Sequence, residues 1–123
     1  MRFAFALLMG FHGIAHLVGF LVPWHLVHPP GLTYQTTVMS GKVDLGETGI
    51  RVLGVIWLLA AIAFLAVAGA TLTQQPWWMP VAMTVALVSL SLSLFAWPQS
   101  RMGVTVNLLI ISVLILGPRL GLI

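Results

Sequence analysis

The chain has 123 residues, 60% of them hydrophobic and 6% charged, with a net charge of +3. Soluble domains carry roughly 25% charged residues, and five basic with two acidic side chains cannot cover a water-exposed fold of this size, so lipid is the expected solvent for most of its surface. Arg2, Lys42, Arg51, Arg101 and Arg119 are scattered, which excludes a nucleic-acid partner, and the absence of cysteine excludes disulfides and thiolate chemistry while leaving the compartment open.

Crossing ~30 Å of hydrocarbon takes about 20 helical residues, and four segments fit. The first runs from about Phe3 to Trp24. Its opening, one Arg and then an apolar run, resembles a secretory signal. His12 and His16 interrupt that run and no clear small-x-small site follows, so it reads as a retained helix. At 100° per residue His12, His16 and Gly19 share one stripe with Phe5, Met9 and Pro23. A glycine there lets another helix approach, so the stripe is expected to face inward. His16 lies about 12 Å below Trp24 by helix rise, a depth at which ionisable groups are functional candidates.

Three uses of the pair stay open. The imidazoles can hydrogen-bond across helices, with Ser89, Ser93 and Asn107 as partners; they can contact a ligand or cofactor, haem or chlorophyll included; or they can share a metal, as His-x3-His spacing allows. The metal is the weakest option, because no acidic residue or cysteine lies mid-span to complete its shell.

The loop over residues 25–45 is the one long connection. "LTYQTTVMSGKVDL" is rich in β-branched residues and "SGK" can turn it, giving either a short β-hairpin or an irregular cap. The second helix, about residues 46–70, has Asp44 or Thr48 as its cap. Glu47 and Arg51 are spaced to pair along it. Such a pair neutralises itself at the interface or serves a head group. Gly54, Ala61 and Ala68 form one small-residue seam. Ala82, Ala86, Ser89, Ser93 and Ala96 form another on the third helix, about 77–97. Trp24 and Trp97 mark one interface, Trp77 and Trp78 the other, and Trp57 stands apart in mid-span. The fourth helix, about 103–117, carries Asn107 on the side of His16, to pair with another helix or touch a ligand.

The expected fold is all-α and membrane-embedded: a single domain over 1–123, an antiparallel bundle of four transmembrane helices. Both termini then share one side. The basic residues at the loop end argue weakly against a cytoplasmic N-terminus, whereas Arg2 ahead of the first helix and the long loop argue for one, and the latter are followed here. His16, His25, His28, Tyr34, Asp44, Glu47, Arg51, Arg101 and Asn107 belong to the loop side, so a site would open towards the loop.

"HGIAHLVGF", "GIRVLGVIWLLAAIAF" and "WPQSRMGVTVNLLI" together resemble a family of small bacterial integral membrane proteins with an HGxxHLxGF-like first helix, a GxLWLLAA-like second and a W-x4-G-x3-N-like fourth. The resemblance covers most of the chain and implies four transmembrane helices in the bacterial inner membrane, with no activity attached. A more distant similarity to DoxX-like four-helix proteins implies association with quinone or redox partners.

The leading functional expectation is a protein that binds a hydrophobic ligand or cofactor on the His12 and His16 face beneath the long loop, with Asn107, Tyr34, Glu47 and Arg51 as further contacts. A structural or accessory subunit of a larger membrane complex is the alternative. A dimeric small transporter comes third, since small multidrug resistance proteins need a carboxylate in the first helix and none is present. No nucleophile or acid–base pair in the spans suggests an enzyme.

Overall fold

The computed structural model describes residues 1–123. Helices α1 (Arg2–His16) and α2 (Val18–Leu21) form one near-continuous rod. A two-stranded sheet follows, β1 (Thr37–Val38) and β2 (Val43–Asp44), and then α3 (Gly46–Leu72), α4 (Trp78–Phe95) and α5 (Arg101–Leu116). The rod over Arg2–Leu21, α3 and α4 are each long and apolar enough to cross a membrane, while α5 has 16 residues.

The helix ends explain where the expected limits held and where they moved. The first rod stops in regular helix at Leu21, but Trp24 is still bonded to Phe20 and His25 then turns left-handed at φ 57°. The Leu26 amide donates to the Leu21 carbonyl and the His25 amide to Val22, which closes the rod with a Schellman motif at the tryptophan chosen from sequence. The same closure, at Gln74 (φ 56°), ends α3 at Leu72, two residues beyond the expected limit. It also ends the turns after α5 at Gly121 (φ 70°). Helix α4 is shorter than expected by one residue at its start and two at its end, and α5 starts two residues early.

The core is built from all four rods. Phe5 and Met9 of α1 pack with Phe64, Val67 and Ala68 of α3, Ala82, Val85 and Ala86 of α4, and Ile110 and Leu114 of α5. This brings the start of α1 beside the end of α3, the start of α4 and the end of α5. The seams read from small residues are inside: Ala61, Ala82, Ala86, Ser89 and Ser93 are fully buried. Where α1 crosses α3 closely, a Cβ on Gly13 would stand 2.9 Å from Phe64 Cβ and 3.1 Å from the Ala61 carbonyl oxygen. The opposite faces are apolar and exposed: Phe3, Leu7, Phe11 and Ile14 on α1, Val52, Leu59 and Ile62 on α3, Leu108, Leu109 and Ile115 on α5.

The long loop does contain the hairpin. Val38 pairs with Val43 and Thr37 with Asp44, and Met39, Ser40 and Gly41 turn it with positive φ. Its tip is fastened to α4: the Met39 amide donates to the Phe95 carbonyl at 2.7 Å, filling an acceptor that a helix end leaves open, and the Ser40 hydroxyl donates to the Trp97 carbonyl. At its base the Thr36 hydroxyl (2.8 Å) and the Gly46 amide (2.9 Å) both donate to Asp44 Oδ1. The cap position itself falls to Leu45, with no side-chain cap bond, so neither Asp44 nor Thr48 caps α3 as expected; Asp44 instead holds the Gly46 amide from the end of the hairpin. The Gly46 amide first, and the Thr36 hydroxyl second, hold its carboxyl below the usual carboxylate range.

Candidate functional site

The His12 and His16 stripe points inward, and both rings are buried. Their bonds form a closed circuit whose sense follows from chemistry. A carbonyl only accepts, so His16 Nδ1, 2.8 Å from the His12 carbonyl oxygen, carries a hydrogen and donates. The other nitrogen of a neutral imidazole is then an acceptor, and Ser89 donates its hydroxyl to His16 Nε2. Ser89 Oγ in turn accepts from Asn107 Nδ2 at 2.8 Å. Asn107 Oδ1 accepts from His12 Nε2 at 3.1 Å. Turning the amide of Asn107 over would set two acceptors against each other, so the neutral circuit runs in one direction only.

Ser89 owes its place in the circuit to its hydroxyl turning outward from its own helix. Thr71, Thr84, Ser91, Thr105 and Ser112 all donate to the carbonyl four residues back. Helix α3 adds no polar group and walls the circuit with rings: Phe64 lies 4.9 Å from His12 and 5.1 Å from His16, and Trp57 lies 4.9 Å from His16. Of the three partners expected for the histidines, Ser89 and Asn107 are used. Ser93, one turn on, is buried with its hydroxyl unpartnered and faces Gly103. No group of three or more His, Cys, Asp or Glu side chains comes together.

A cavity of about 540 Å³ lies above this circuit, within the usual range for small-molecule sites. Val18, Gly19 and Val22 of the first rod form one wall, Ile50, Leu53 and Trp57 of α3 a second, and Phe95 to Ser100 after α4 a third. The loop roofs it with Leu32 to Gln35 and the hairpin tip. Trp57 is the shared partition: one boundary faces the cavity, the other His16. Its indole fits because residue 19 is glycine, where a Cβ would stand 2.4 Å from the ring. Sequence reasoning took Gly19 for a helix–helix contact and left Trp57 as an exception; a mid-span tryptophan one side chain away from a glycine was the available signal.

The expected site residues therefore divide into three places. His12, His16 and Asn107 meet in the circuit and do not line the cavity. Tyr34 lines the cavity, with its ring 4.2 Å from that of His25. Glu47 and Arg51 stand outside both, paired at 3.7 Å on the exposed start of α3. The Arg51 carbonyl receives the Trp24 indole N–H at 3.0 Å and its guanidinium lies 5.4 Å over that ring, so Arg51 seats Trp24. Gln35 and Gln99, which sequence reasoning did not single out, add neutral polar groups to the cavity. No protein-family model, curated protein or solved structure matches this chain, so a functional reading rests on these residues alone.

Proposed function

We propose that the chain is an integral membrane protein of four transmembrane helices, and that it holds a hydrophobic ligand in the cavity beneath the loop. The membrane reading is supported by three helices of spanning length with apolar outer faces. Helix α5 is short by itself. Helical bonding continues past it, Gly117 to Val113 and Leu120 to Leu116, which lengthens the rod to roughly 20 residues, enough for a fourth span. An even number of spans leaves both termini on one side, taken here as the cytoplasmic side of a bacterial inner membrane.

The single observation behind the ligand reading is the cavity itself, roofed by the loop and floored by a tryptophan. Quinones and other neutral ring compounds suit such a place. Haem or chlorophyll would need an imidazole in the cavity wall, and neither His12 nor His16 lines it. Native mass spectrometry of protein released from mild detergent, after incubation with pyrene, tests the reading. A one-to-one adduct is expected, and Leu53→Trp, which fills the cavity from the α3 wall, should abolish it. No adduct, or one that Leu53→Trp leaves intact, would overturn the reading.

A further inference from the structure

The lining of the cavity has a property that its volume does not reveal: none of its side chains is charged. Charge is plentiful at this end of the molecule, where Lys42, Asp44, Glu47, Arg51 and Arg101 all sit, but all five stay outside the cavity. The polar side chains that do face it are neutral and belong to the loop, the hairpin and the α4–α5 turn, among them Thr33, Tyr34, Gln35, Gln99 and Ser100. Below them the walls are apolar down to Trp57. Polarity thus changes along the cavity from a hydrogen-bonding roof to an apolar floor.

Resting on the ligand reading above, we infer that the cavity selects uncharged amphiphiles, bound with the polar head under the loop and the apolar end against Trp57. An uncharged head with hydroxyl or carbonyl groups meets donors and acceptors in the roof. A carboxylate or an ammonium finds no counter-ion there and loses water without repayment, which is the costly case for burial. Bulk membrane phospholipids and fatty acids are thereby discriminated against, although their tails would fit the floor equally well.

Three probes with the same tail and different heads decide it: monodecanoylglycerol, decanoate and decyltrimethylammonium, each titrated against the full chain by native mass spectrometry. The neutral probe should bind at least about tenfold tighter than either ion, the discrimination expected when a buried ionic head is left unpaired. Gln99→Lys, an exposed turn position at the rim, should raise decanoate binding relative to that of the glycerol ester. If all three probes bind alike and Leu53→Trp removes all three, the selectivity is wrong while the cavity remains a ligand site. If pyrene and all three probes give no adduct sensitive to Leu53→Trp, the ligand reading falls and the selectivity with it.

Discussion

Asn107→Leu is the sharpest perturbation of the buried circuit, because it removes the one side chain that joins two others. Asn107 is fully buried and bridges His12 Nε2 to Ser89 Oγ. A buried group left unsatisfied costs about 1–3 kcal/mol, so two abandoned partners set an upper limit of roughly 6 kcal/mol. Two effects lower it. Ser89 loses only an incoming bond and keeps its own hydroxyl on His16. His12 has no other side-chain hydrogen bond to hold its ring, which is free to turn and change tautomer. Interhelical hydrogen bonds in membrane proteins average about 0.6 kcal/mol, so a net loss of about 1–2 kcal/mol is expected. His12→Leu combined with Asn107→Leu should cost less than the sum of the two. The assay is equilibrium unfolding in mixed micelles with added SDS, followed by near-ultraviolet circular dichroism. A loss under about 0.3 kcal/mol for Asn107→Leu, with strict additivity in the double variant, would refute the circuit as a stabilising unit.

The glycines give a matched pair. Gly19→Ala should displace Trp57 and cost about 1–3 kcal/mol in the same assay, whereas Gly10→Ala, with open space around its Cβ, should be neutral or stabilising by up to about 1 kcal/mol. The Asp44 carboxyl is held below its ordinary range when folded, so what it contributes to the hairpin is present at neutral pH and is lost as pH falls through the folded value. Acidification below the usual carboxylate range should therefore broaden hairpin amide resonances in the wild type, and Asp44→Asn should remove that dependence. Glu47 and Arg51 are exposed, and a double-mutant cycle should return a coupling under about 0.5 kcal/mol; several times that value would mean the pair is shielded from water. Reporter fusions at residue 1 and residue 123 should report one compartment, and opposite compartments would remove a span.

What could be read ahead of the structure was whatever repeats along a helix. The angular spacing of His12 and His16 and the small residues at 54, 61, 82, 86 and 89 follow from rotation about one axis, and their inward direction held. Even the partners Ser89 and Asn107 were accessible, since few polar side chains exist to satisfy an imidazole in an apolar interior. The cavity was not legible. It arises where the first rod and the α4–α5 turn stand apart under a roof, and separation between elements leaves no periodic trace in either. Glu47 and Arg51 were grouped with a site because they share its end of the molecule, but facing is set by helix rotation, and that turns them outward.

The circuit also bears on how the chain is made. Its first two members leave the ribosome early, in α1, whereas Asn107 follows 95 residues after His12 and Ser89 73 residues after His16. On the proposed membrane reading, the first helix enters the bilayer before α4 and α5 arrive, with both imidazoles lacking their final partners. A nascent chain stopped before α4 should therefore be held at the insertion machinery, or be handed to quality control, more readily than the finished protein. Release into lipid becomes a late, collective event, and the last helix made is the one that lets the first one settle.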